Sequence, residues 1–91
     1  MKFPQYETLA LEPRGEHLLL VRLNRPEVLN ALNTQMGRDQ ADLWTRLASE
    51  PGALRCVVLT GAGERAFCAG GDLKERNGMA DEAWRAQHEV F

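Results

Sequence analysis

The stretch from Arg55 to Asp72 constrains this chain more than any other. Arg55-Cys56-Val57-Val58-Leu59-Thr60 is short, β-branched and apolar, so it reads as a strand, and its lack of alternation places it centrally in a sheet. It runs into Gly61-Ala62-Gly63-Glu64-Arg65-Ala66-Phe67-Cys68-Ala69-Gly70-Gly71-Asp72. Asp72, with Glu75 three residues on, has the form of a capping box and opens a helix that Asn77-Gly78 ends after about one turn. A strand delivering the chain to a glycine pair at a helix start is an α/β arrangement.

The flanking segments agree. Tyr6 to Leu11 alternates polar and apolar residues, Glu12-Pro13-Arg14-Gly15-Glu16 is turn chemistry, and Leu18 to Leu23 is apolar at nearly every position. The pair predicts a hairpin whose second strand is covered on both faces. Asn24-Arg25-Pro26-Glu27 breaks that strand. From Asn33 or Thr34, either a good N-cap, Met36, Gln40, Leu43, Trp44 and Leu47 recur at helical spacing as far as Ser49, with Pro51-Gly52 as the stop. Gly37 weakens this helix by up to ~1 kcal/mol relative to alanine, which a close helix contact would explain. Asp81 to Phe91 reads as a further helix. Strand, strand, helix, strand, helix and a final uncapped helix do not close a fold, so residues 1–91 are expected to be the N-terminal part of one domain, its remainder lying outside this chain.

Composition narrows the function classes. With 44 % hydrophobic and 26 % charged residues the chain is ordinary globular protein. Eleven basic and 13 acidic residues are mixed along it, without the basic run that nucleic acid requires. The longest apolar runs, around Leu18–Val21 and Cys56–Leu59, fall far short of the about 18 residues of a membrane span. Met1 to Glu7 lacks the apolar core of a secretory signal. Two cysteines, Cys56 and Cys68, are expected free and buried, which suits a cytoplasmic protein. There is no H-E-x-x-H, no C-x-x-C and no calcium-type carboxylate pattern, and no metal is expected.

Chemistry concentrates at Gly70-Gly71-Asp72. Paired glycines let a ligand approach the main chain, and a helix start adds unpaired N–H groups, the equipment for stabilising an oxyanion. The plainer alternative is a tight turn that needs glycine only for its shape. Gly61-Ala62-Gly63-Glu64-Arg65-Ala66 also matches the G-x-G-x-x-A dinucleotide fingerprint, the mark of an oxidoreductase fragment. That motif needs a helix beginning inside it, whereas Phe67 to Gly71 reads as extended and the cap comes only at Asp72. Cys68 as a nucleophile has neither His17 nor His88 placed to activate it, and both histidines read as solvated bystanders. Asp72 and Glu75 are accounted for as the helix cap, Glu64 as a loop charge, and Trp44 as core or interface.

Two segments resemble the enoyl-CoA hydratase/isomerase (crotonase) family. They are Leu23-Asn24-Arg25-Pro26-Glu27-Val28-Leu29-Asn30-Ala31-Leu32-Asn33 and Val57 through Leu73, separated, as in that family, by one helix and one strand. The resemblance implies a spiral of ββα turns and an acyl-CoA thioester substrate, with coenzyme A as part of the substrate and no further cofactor. It implies an enolate held by two backbone N–H groups, the first of them on Gly71. The stretch matching Val28, Leu29 and Ala31 would line the CoA site and the Ala69 carbonyl would meet adenine, with Gly70 and Asp72 flanking the donor and shaping the turn and Leu73 among the substrate-binding residues. Family members are usually trimers or pairs of trimers. The second donor and the acid–base glutamates belong to segments after position 91, so hydration, isomerisation, decarboxylation, dehalogenation and ring cleavage all stay open. The 91 residues alone are expected to be inactive. A non-catalytic CoA-binding or interaction module of the same ancestry is the alternative.

Overall fold

A computed structural model describes residues 3–91; Met1 and Lys2, part of the stretch read for a secretory signal, lie outside the described residues. Strands β1 (Leu9–Arg14) and β2 (Leu18–Leu23) pair antiparallel, from Leu9 opposite Leu23 to Arg14 opposite Leu18. Helix α1 (Thr34–Ser49) carries the chain across to β3 (Cys56–Gly61), which lies parallel to β2 in the sheet order β1-β2-β3. Two short helices follow, α2 (Leu73–Arg76) and α3 (Asp81–Val90).

The expected turn at Glu12–Glu16 is one correction. Strand β1 continues through Pro13, which sits opposite Leu19, and turns only beyond Arg14. Proline is tolerated there because β1 is an edge strand, and its missing N–H costs no ladder bond on the open side. A second correction concerns β2, expected to be covered on both faces. Leu19, Val21 and Leu23 are fully buried, while Leu18, Leu20 and Arg22 on the other face are half-buried. Strand β3, expected to be central, lies at the sheet edge: Val57, Val58 and Leu59 are exposed at 37–41 %, because among the described residues β2 is its only neighbour. Cys56 is exposed and Cys68 half-buried, both free, so the expected burial of the thiols is also corrected.

The helix reading holds. The Asn33 side chain caps α1 by accepting from the Met36 N–H, and Met36 and Leu43 join Leu9, Leu19, Val21 and Leu23 in one apolar cluster, with Trp44 and Leu47 packed against it. Asp39 shares the buried face without penalty, since its carboxylate accepts from the Thr8 N–H at 3.0 Å and the Thr8 hydroxyl at 2.7 Å. At Gly37 the suspected close contact is present: the Phe91 ring stands where a side chain would begin. His17 is exposed, but it is more than a bystander. Its Nδ1–H donates to the Ala53 carbonyl at 2.7 Å, and its own carbonyl accepts from Arg55 and Cys56 at the entry to β3.

Candidate functional site

The two motif segments, about 40 residues apart in sequence, are laced together. The Ala69 N–H donates to Leu29 O at 3.0 Å, the Leu32 N–H to Gly70 O at 2.7 Å, and the Asp72 N–H to Leu32 O at 2.8 Å. The last two bonds form an isolated parallel bridge between Leu32 and Gly71. In a parallel bridge the residue whose flanks are bonded turns its own N–H and C=O to the opposite side. Gly71 is that residue, and among the described residues its N–H meets no acceptor. The helix that follows, α2, is only one turn long, and the bridge is the stronger reason the Gly71 amide is left open.

Each side of this seam is shaped by unusual backbone. A 3-10 turn at Pro26–Val28 leads into Leu29 and Asn30, whose φ values of 55° and 56° are left-handed. Asn30 tolerates that region because a short amide side chain bonds locally, and here it does more. It is fully buried, accepts from the Arg25 N–H at 2.9 Å, and donates to Ala62 O at 2.9 Å and Ala66 O at 3.0 Å. One side chain therefore ties the first motif to the loop of the second. Gly61 is required by this closeness, since a β-carbon there would lie 2.5 Å from the carbonyl oxygens of both Ala66 and Phe67. Gly70 is required by its φ of 97°. A cleft of about 100 Å³ opens between Pro26, Leu29 and the Gly63–Ala66 loop.

Arg25 and Asp72 fasten the seam from below. The Arg25 Nη1 donates to Ala31 O at 2.7 Å and to Asp72 Oδ2 at 3.0 Å, with the two side chains 18 % and 13 % exposed. Asp72 also caps α2, accepting from the Glu75 N–H at 3.1 Å. That backbone donor first, and the guanidinium second, hold the Asp72 carboxyl below the usual carboxylate range against the opposing effect of burial. A depressed folded pKa stabilises above the unfolded value of about 3.9, and the contribution is lost as pH falls through the folded pKa. Thermal unfolding from pH 7 to pH 3 is thus expected to show Asp72→Asn less stable at neutrality and less sensitive to acid below about pH 4. An unchanged profile would contradict the pairing.

Glu75 does not complete the capping box. Its Oε1 accepts from the Thr34 N–H at 2.8 Å and the Thr34 hydroxyl at 2.9 Å, so it serves the N-terminus of α1 instead. Of the residues singled out from sequence, Leu29, Ala69, Gly70, Gly71 and Asp72 meet at the seam. Val28 and Ala31 flank it and bond to each other, Ala31 N–H to Val28 O at 3.1 Å, while Leu73 projects into solvent, 79 % exposed. Sequence reasoning passed over Arg25 and Asn30 as individual residues, although both stand inside a quoted motif. Between Gly61 and Gly71 the described chain forms no helix, so the helix that the G-x-G-x-x-A reading needs is missing. No cluster of three metal-ligating side chains occurs among the described residues.

Most of the chain matches proteins of known type. Residues 18–91 match the family described as enoyl-CoA hydratase/isomerase. This chain belongs to that family. It is 53 % identical over 64 residues to the mevalonyl-coenzyme A hydratase SIDH of Beauveria bassiana, a match covering 70 % of this chain and 22 % of that protein. It is 49 % identical over 65 residues to the enoyl-CoA hydratase EchA19 of Mycobacterium tuberculosis, covering 71 % and 24 % respectively. The crystal structure of an enoyl-CoA hydratase from Bacillus anthracis superposes with a TM-score of 0.85 at 36 % identity, covering 92 % of this chain and 32 % of that one. The crotonase fold expected from the motifs is thereby established for this part. The chain spans about a quarter of the length of the curated family members it matches.

Proposed function

We propose that these residues form the CoA-binding part of an acyl-CoA-processing enzyme that stabilises a thioester enolate in a backbone oxyanion hole. Gly71 supplies one N–H donor. The observation that carries this reading is the Gly71 amide, turned out of the Leu32 bridge and left without an acceptor at the meeting of the two motif loops. A donor fixed in place before charge develops needs no reorganisation during reaction, which is why such sites work.

The binding surface is formed by Val28, Leu29, Ala31, Ala69, Gly70, Asp72 and Leu73. The Val28, Leu29 and Ala31 carbonyls already accept bonds from Ala31, Ala69 and Arg25, so these residues act mainly by shape. The Ala69 carbonyl accepts none among the described residues and suits an adenine amino group. The second oxyanion donor and the proton-transfer groups are assigned to no residue of this chain, and the 91 residues alone are inactive. Hydration is the favoured reaction, because the relatives compared are hydratases by name. The full-length enzyme works in the cytoplasm as a trimer or pair of trimers, in which further chain covers the exposed face of β3.

A calorimetric titration of the full-length protein with CoA beside one with NAD tests this. Saturable CoA binding with no NAD response is expected; NAD binding without CoA binding would overturn the reading. CoA binding with no turnover of any enoyl-CoA would favour a non-catalytic module.

A further inference from the structure

Arg76, the last residue of α2, lies with its guanidinium against the Gly71 backbone. A β-carbon on Gly71 would stand 2.5 Å from Cζ, 2.6 Å from Nη1 and 2.9 Å from Nη2. Only one nitrogen of the group is engaged: Nε donates to Gln87 Oε1 at 3.0 Å. Gln87 is 2 % exposed and is itself held, its Nε2 donating to Thr34 Oγ1 at 2.9 Å and to Glu75 Oε1 at 2.5 Å. The guanidinium is therefore clamped at one edge, and its two terminal nitrogens meet no acceptor among the described residues. Arg25 makes the contrast, since its Nη1 is satisfied by Ala31 O and by the Asp72 carboxylate. The neighbouring carboxylate, Glu75, is occupied by Thr34 and Gln87.

We propose that Arg76 is a specificity-determining residue that takes a carboxylate borne by the acyl group, close to the thioester. The inference rests on Gly71 receiving the thioester oxygen. A planar guanidinium fork matches a carboxylate with two parallel N–H···O bonds, and holding one edge in advance lowers the entropy lost on binding. The other anions of an acyl-CoA are the phosphates, but the pantetheine arm sets them well away from the thioester. An anion beside Gly71 is thus on the acyl side. The absence of a side chain at Gly71 leaves the guanidinium room to lie there.

The test titrates the full-length protein and its Arg76→Met and Arg76→Lys variants with succinyl-CoA, butyryl-CoA and free CoA. Wild type should prefer succinyl-CoA. Arg76→Met should bind succinyl-CoA roughly 10- to 100-fold more weakly, the usual worth of hydrogen bonds to a charged group, with butyryl-CoA and CoA unchanged. Arg76→Lys should recover part of the loss. An equal loss for both thioesters would make Arg76 a strut for α3, and a parallel loss for free CoA would assign it to a phosphate; either result overturns the proposal. If wild type binds CoA and both thioesters alike, the acyl-carboxylate role fails alone. If it binds none of them, the reading of Gly71 fails with it.

Discussion

Replacing Gly71 with proline in the full-length enzyme is expected to lower kcat by roughly 10²- to 10³-fold, the cost of losing one oxyanion donor. Leu32 bonds to Gly70 and Asp72 and leaves Gly71 out, so proline removes the N–H without removing a bond from the bridge. Gly71 also lies outside the left-handed region, which proline cannot enter. Proline also displaces the Arg76 guanidinium, 2.5 Å from where its β-carbon would stand, so the loss is read against Gly71→Ala, which meets the same guanidinium but keeps the N–H and should retain far more turnover. Undiminished turnover of the enoyl-CoA substrate would show that this amide is not the donor.

The largest effect on stability is expected at Asn30. Truncation to alanine strands the Arg25 N–H and the Ala62 and Ala66 carbonyls in a part-buried place, at up to about 1–3 kcal/mol for each group that water does not reach. Alanine at a φ of 56° adds roughly 1–2 kcal/mol, since only glycine and the short amide or acid residues visit that region cheaply. The contributions share one pocket and do not add in full, so a total of about 3–5 kcal/mol by urea unfolding is expected. Asn30→Asp keeps the size and the acceptor for Arg25 but turns an oxygen toward two carbonyls, and it should be comparably damaging. A cost below about 1 kcal/mol for the alanine variant, within the range of an ordinary surface change, would mean the loops are held together by something else.

What the sequence made legible was local. Asp72 reads as a cap, and Asn33 or Thr34 as another, because a cap is a signal of three or four residues; the face of α1 follows from Met36, Leu43 and Trp44 alone. The failures were those of distance. Whether β3 is central depends on what lies beside it, which the string Cys56–Leu59 does not contain. Pro13 signals a turn unless β1 is an edge strand, and edge position is again tertiary information. Glu75 fits a capping box by spacing, yet its carboxylate goes 41 residues back to Thr34, and Arg25 reaches 47 residues forward to Asp72. The candidate site is legible only where a pattern spans both segments, and the structure bonds those two segments side by side. A signal for Asn30 is its place in the turn that follows the strand-breaking Pro26, since asparagine tolerates the left-handed region and bonds locally.

The most direct test of the central claim is a crystal structure of the full-length protein with a slowly turned-over acyl-CoA bound. The thioester oxygen is expected within about 2.7–3.1 Å of the Gly71 nitrogen, the distance of an oxyanion donor. A thioester bound elsewhere, with the Gly71 N–H facing solvent or another protein group, would contradict it.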